Sequence, residues 1–102
     1  FSVNTPMQKA LATYIKTPNN YLSLPDFYQE KRDVFLELIK DSRFKIIPSK
    51  GTYFQMLDFS NITNESDIMF AERLTKENKI AMIPTSVFNT HKEDFKQIRV
   101  CF

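Results

Sequence analysis

Arg99 is the residue whose setting most invites chemistry. It sits in Gln97-Ile98-Arg99-Val100-Cys101-Phe102, a run that reads as a strand. Alternation puts Ile98, Val100 and Phe102 on one face and Arg99 with Cys101 on the other. A guanidinium among apolar neighbours must meet water, a carboxylate partner or a ligand, because a lone buried charge is too costly. An internal ion pair or an exposed face satisfies that need. So does a fork that grips a carboxylate or phosphate through two parallel hydrogen bonds. Other candidates are weaker. His91 lies in a polar loop beside Lys92, Glu93 and Asp94 and reads as a surface histidine. Cys101 has no base or basic cluster nearby in the sequence and reads as a small core residue. Asp58 and Asp67 read as a strand end and a helix cap. No catalytic constellation closes from these residues alone.

The elements that must position Arg99 are organised around Lys50 to Phe59. That stretch begins with the one glycine in 102 residues, Gly51. Glycine takes positive φ at little cost, so Pro48-Ser49-Lys50-Gly51 is expected to turn. Tyr53 to Phe59 then reads as a strand apolar on both faces, with Phe44-Lys45-Ile46-Ile47 as its antiparallel partner. Before this hairpin, Thr5-Pro6-Met7-Gln8 predicts a capped helix start with Thr5 as cap. Met7, Ala10, Leu11 and Tyr14 share one face of that helix, which Thr17-Pro18-Asn19-Asn20 stops. Ser23 to Arg43 predicts the longest helix, capped by Ser23 or Asp26, with Phe27, Val34, Phe35, Leu38 and Ile39 as its buried stripe. After the hairpin come a helix over Asp67–Asn78, a short buried strand over Lys79–Ile83 ended by Pro84, a loop over Thr85–Lys96 and the Arg99 strand. The order implies an α+β fold in two layers, with helices packed on a small, largely antiparallel or mixed sheet.

Composition sets limits. A chain of 102 residues forms one domain. Its 42% hydrophobic and 25% charged residues are ordinary for a globular protein. A single glycine, with no G-x-x-x-x-G-K or G-x-G-x-x-G, excludes the glycine-rich phosphate loops. A net charge of +2 with interleaved signs gives no basic stripe for nucleic acid. No apolar run approaches the ~20 residues of a membrane span. One cysteine excludes an internal disulfide and fits a reducing compartment, hence a cytoplasmic location. One histidine and one cysteine cannot build a zinc site without carboxylates. The chain stops at Phe102 inside an expected strand, which is read as the C-terminal piece of a longer polypeptide.

Taken in order, the motifs resemble a known family. Phe1-Ser2-Val3-Asn4-Thr5-Pro6-Met7-Gln8 comes first, then Tyr21, Leu24-Pro25-Asp26-Phe27-Tyr28 and Lys31-Arg32-Asp33. Gly51-Thr52-Tyr53-Phe54, Ile83-Pro84-Thr85-Ser86-Val87-Phe88 and Ile98-Arg99-Val100-Cys101-Phe102 follow. Together they are similar to the C-terminal part of class I/II aminotransferases, in the branch that contains methionine and kynurenine aminotransferases. The resemblance spans essentially the whole chain, and it is the ordered set, not any one motif, that is specific.

The resemblance implies an enzyme that moves an amino group from an amino acid to a 2-oxo acid through pyridoxal 5'-phosphate, as a homodimer. It implies that Arg99 holds the substrate α-carboxylate, that Phe1 reaches the neighbouring subunit's pocket, and that Ser86 and Phe88 border the active-site entrance. Residues 1–22 become an interdomain or interface helix and linker, and 23–102 the small-domain body. The family's Schiff-base lysine and the groups that hold the cofactor ring and phosphate belong to a large domain outside this chain. The fragment alone is therefore expected to be inactive and to carry no covalently bound cofactor. The competing expectation is a stand-alone α+β binding or regulatory module without cofactor, which an ion-paired Arg99 would favour.

Overall fold

A computed structural model describes residues 2–102. Phe1, expected to reach a neighbouring pocket, lies outside the described residues. The remainder forms three α-helices and a four-stranded sheet. The helices are α1 (Thr5–Tyr14), α2 (Leu24–Ile39) and α3 (Asp67–Arg73). The strands are β1 (Lys45–Ile46), β2 (Phe54–Asp58), β3 (Ile83–Pro84) and β4 (Gln97–Cys101). The sheet order is β1-β2-β4-β3, and every pair is antiparallel.

The register decides which residues share a face. Leu57 lies opposite Ile98 and beside Ile46, while Met56 lies opposite Arg99 and Ile83 also pairs with Arg99. The Leu57–Ile98 face is the covered one. Leu57, Phe59, Phe70 and Ile98 form the buried core, with Phe35 and Ile39 of α2 and Leu74 behind α3 packed against it. Helices thus cover one face of an antiparallel sheet, the two-layer α+β arrangement expected from the element order.

Gln55 is the polar exception on the covered face, only 1% exposed. Its Oε1 accepts from Ser49 N at 3.0 Å, and its Nε2 donates to the carbonyls of Ile47 and Met56 at 2.8 Å each. The side chain thereby supplies hydrogen bonds that the β1–β2 connection lacks from the ladder. Tyr53–Phe59 is consequently not apolar on both faces: Gln55 is a polar clamp inside it.

Several local expectations are corrected. Gly51 does not take positive φ; Thr52 does, at 72°, and its Oγ1 accepts from Phe54 N at 3.2 Å to hold the turn. A Cβ added at Gly51 would meet nothing within 4 Å. The cap of α1 is Asn4, whose Oδ1 accepts from Met7 N, and Thr5 is instead the first helical residue. Gln8 reaches back as a capping-box residue would, but donates to the Val3 carbonyl at 2.7 Å. Ser23 makes no side-chain cap bond, and α2 ends at Ile39, not Arg43. Within its expected stripe only Phe35 and Ile39 meet the core, while Phe27, Val34 and Leu38 remain exposed. Residues 79–82 are not a strand. Lys79 leaves the helical segment in the left-handed conformation (φ 61°), and pairing with β4 begins only at Ile83. Pro84 belongs to β3, which it can do because β3 is an edge strand and needs no second partner. Cys101 is exposed, not a core residue, because its face of β4 is the open one.

Helix α1 does not pack on the sheet as expected. All ten of its residues are exposed. Met7, Leu11 and Tyr14, the face predicted to be buried, stand bare beside Val3. An apolar stripe of this kind is a contact surface in want of a cover. The isolated 102-residue chain should therefore sediment as concentration-dependent oligomers. A clean monomer at high protein concentration would contradict that reading.

Candidate functional site

The open face of the sheet carries a constellation that could recognise a small ligand. A cleft of about 300 Å³ is lined by Phe54, Met56, Thr85, Phe88, Asn89, Phe95, Gln97 and Arg99. Strand β4 supplies Arg99 and Gln97, and β2 supplies Phe54 and Met56. The Arg99 guanidinium carbon lies 4.9 Å from the Phe54 ring centroid and 5.5 Å from that of Phe88. Both distances fall within the reach of a cation–π contact. Two rings on a planar guanidinium fix its plane and thin the water around it, leaving the donor edge as the direction of recognition.

No anion answers this cation. Among the described residues Arg99 makes no salt bridge and no side-chain hydrogen bond, and its Nε is buried without a partner. A buried donor left unpaired costs on the order of 1–3 kcal/mol, more when charged. The ion-paired Arg99 that would favour a stand-alone module is thus absent among the described residues. No lysine lines the cleft, and Arg99 is the one charged residue in its lining.

Of the two residues expected at the entrance, Phe88 lines this cleft and Ser86 does not. Ser86–Phe88 is a single 3-10 turn. Thr85 ties its start to β4, with Oγ1 donating to the Gln97 carbonyl at 2.9 Å. Phe88 is 65% exposed and lines the cleft, whereas Ser86 is buried behind it. Ser86 N and Oγ donate to the two oxygens of Asp67 at 2.7 and 2.8 Å. Asp67 is therefore more than a helix-end residue. Ser66 is the α3 cap, accepting from Met69 N at 3.3 Å. Asp58 ends β2 as expected and accepts from Ser60 N at 2.7 Å. His91 is exposed, as its polar loop implied.

Sequence reasoning missed Phe54, Met56 and Phe95. The first two were within reach: alternation along β2 puts them on one face, and the antiparallel register places Met56 against Arg99. Phe95 carried a weaker signal, one apolar residue in an otherwise polar loop.

The groups with displaced pKa values serve the fold. Burial pulls the Asp94 carboxyl upward, but hydrogen bonds from the Lys96 amide and amine and the Asp67 amide outweigh it and hold it below the usual carboxylate range. The Arg73 guanidinium beside Glu65 holds that carboxyl low as well. A larger cavity of about 530 Å³ opens between the start of α2 and the β1–β2 connection. Of its two cations, Arg32 is already engaged by Asp33 and by the Ser49 carbonyl, and Lys50 is exposed to water. The Arg99 cleft is the stronger candidate because its guanidinium is uncommitted and carries a buried donor without a partner.

The model for aminotransferase class I and II matches residues 1–102, the entire chain. The chain belongs to the class I and II aminotransferases. Methionine aminotransferase of Escherichia coli (strain K12) is 46% identical over 103 residues, covering 100% of this chain and 27% of that protein. Kynurenine–oxoglutarate transaminase 3 of Homo sapiens is 31% identical over 122 residues, again covering 100% of this chain and 27% of the relative. An Escherichia coli crystal structure with a methionine aminotransferase function superposes with a TM-score of 0.87 at 44% identity, covering 98% of this chain and 26% of that one. N-succinyldiaminopimelate aminotransferase from Mycobacterium tuberculosis gives 0.81 at 25% identity, over 95% of this chain and 26% of the other. This aminotransferase chain therefore spans about a quarter of the length of these relatives.

Proposed function

We propose that this chain is the small-domain part of a pyridoxal-phosphate-dependent aminotransferase that moves an amino group from a methionine-, aromatic- or kynurenine-like amino acid to a 2-oxo acid. The observation that carries the reading is the uncommitted guanidinium of Arg99 between Phe54 and Phe88. In this reading Arg99 pairs with both oxygens of the substrate α-carboxylate. The aromatic flanks exclude water, so the pair is stronger than it would be in solution. Phe88 lies at the entrance with Ser86 buried behind it, and Phe1 reaches the pocket of a second subunit in a homodimer. Residues 1–22 form the interface helix and linker, and 23–102 the body. The bare face of α1 supports that division. The location is cytoplasmic in this proposal. No described helix is long and apolar enough to cross a membrane.

With no lysine in this cleft to capture the cofactor covalently, that role falls in this proposal to a large domain beyond this chain. Two assays test the proposal. Full-length protein given pyridoxal phosphate, a 2-oxo acid and methionine or phenylalanine should form the matching keto acid. The 102-residue chain under the same conditions should form none. Treated with pyridoxal phosphate and borohydride, it should carry no label concentrated on one lysine, because covalent capture needs an activated lysine. Keto acid from the short chain, or none from the full-length protein with any amino acid, would overturn the reading.

A further inference from the structure

Asp67 is a carboxylate only 1% exposed that takes no cation as partner among the described residues. Burying such a group is expensive unless hydrogen bonds compensate. Here both oxygens are spent on one residue: Oδ2 accepts from Ser86 N at 2.7 Å and Oδ1 from Ser86 Oγ at 2.8 Å. On its other side the Asp67 amide donates to Asp94 Oδ2 at 3.1 Å. Asp94 Oδ1 in turn accepts from Lys96 N at 2.7 Å. The first turn of α3 is thus tied to two separate chain segments. One carries Phe88, two residues beyond Ser86. The other carries Phe95, between Asp94 and Lys96. Both rings line the Arg99 cleft.

These rings cannot hold themselves in place. Phe88 is 65% and Phe95 60% exposed, so their own packing fixes little. Their positions follow from the backbone that carries them. For Phe88 that backbone is the single turn Ser86–Phe88, held at Ser86 by Asp67 and just before it by the Thr85 tie to β4.

We propose that Asp67 is a positioning residue, which, with Asp94 as its second leg, holds the aromatic walls Phe88 and Phe95 against Arg99 and so shapes the carboxylate site. The assignment rests on the reading of Arg99 as the carboxylate clamp. Removing the Asp67 carboxylate leaves Ser86 N and Oγ buried without an acceptor. The turn then keeps only its Thr85 tie to β4, and reaching water for these groups draws the Phe88 ring off the guanidinium. A carboxylate ligand loses affinity, while a neutral ligand of the same shape loses little.

The test is calorimetric, on the full-length protein, with 3-phenylpropanoate and 3-phenylpropanamide as probes. Arg99→Ala should weaken the acid by at least ~30-fold and the amide little. Asp67→Ala should weaken the acid by about tenfold, the value of one or two lost hydrogen bonds. The amide should change less than about twofold, since it draws little on the guanidinium charge. Asp67→Asn keeps the shape, with an oxygen for Ser86 N and an NH2 for Ser86 Oγ, and should restore most of the acid affinity. In Asp67→Ala/Phe88→Ala the losses should fall well short of additive, as expected of residues acting through one contact. Should Asp67→Ala fail to fold, Ser86→Ala removes the Oγ bond alone and should still weaken the acid selectively by about threefold. A lower melting temperature with acid and amide affinities both unchanged, or both reduced equally, overturns the proposal if Arg99→Ala remains selective. If Arg99→Ala is not selective either, the clamp reading fails and the proposal falls with it.

Discussion

Replacing Arg99 with alanine in the full-length enzyme should lower kcat/KM for an amino acid by roughly 30- to 5,000-fold. The range follows from the cost of truncating one partner of a desolvated charge pair, about 2–5 kcal/mol. The strand makes the effect large. Ile98 is fully buried and pairs with Leu57, so the β4 backbone has no freedom to turn its opposite face. Phe54 and Phe88 then hold the guanidinium plane. On the proposed role, a fork fixed in this way would set both carboxylate oxygens and with them the direction of the Cα–H bond. Arg99→Lys should recover only part of the loss, because an ammonium keeps the charge but not the two-point geometry. Single-turnover transamination of an amino acid and of its amine analogue separates the contributions. The loss should be confined to the substrate that has a carboxylate. If Arg99→Ala reacts with the amino acid as fast as the unaltered enzyme, Arg99 is structural.

What the sequence disclosed about this site was the part governed by local period. Strand alternation alone put Arg99 opposite Ile98 and Val100, and the register in β4 agrees. The helical segments and the α+β order were legible for the same reason. Two kinds of information were not. A periodic pattern identifies an apolar face but not its cover: Met7, Leu11 and Tyr14 were correctly grouped, yet nothing among the described residues buries them. The same limit explains why Phe27, Val34 and Leu38 were placed in a core that only Phe35 and Ile39 of that stripe reach. Backbone handedness was the second. With one glycine available, the left-handed positions fall on Thr52, Lys79, Lys92 and Lys96, and residue type gives no warning of them. Long-range polar contacts were hidden too. Asp67 and Ser86 are 19 residues apart, and neither residue type nor spacing signals that they meet.

Phe59→Ala should be the most destabilising single change in the body of the domain, by about 3–5 kcal/mol. Phe59 is 0% exposed, and its ring centroid lies 4.5 Å from that of Phe70 on α3. Its backbone is held at both ends, N–H to the Lys96 carbonyl at 2.9 Å and carbonyl to Ile62 N at 2.8 Å. Truncation therefore opens a cavity that neighbours cannot collapse into. Leu57 and Ile98 are fixed by the β2–β4 ladder, and Phe70 by its helix. A domain is stable by only ~5–15 kcal/mol in all, so the loss should be plain in urea unfolding of the full-length enzyme, followed by amide exchange at β2 and β4. Phe59→Leu refills most of the volume and should cost far less. The lesion should also spread to function, since the bond from Phe59 N to Lys96 O anchors the segment that carries Phe95. Acid-probe affinity in Phe59→Ala should fall even at temperatures where the domain stays folded. A cost below ~1 kcal/mol, within the range of ordinary surface changes, would mean that the ring is not the keystone of this core. The α3 contact would then have to be sustained by Phe44 and Phe70, whose centroids lie 6.4 Å apart.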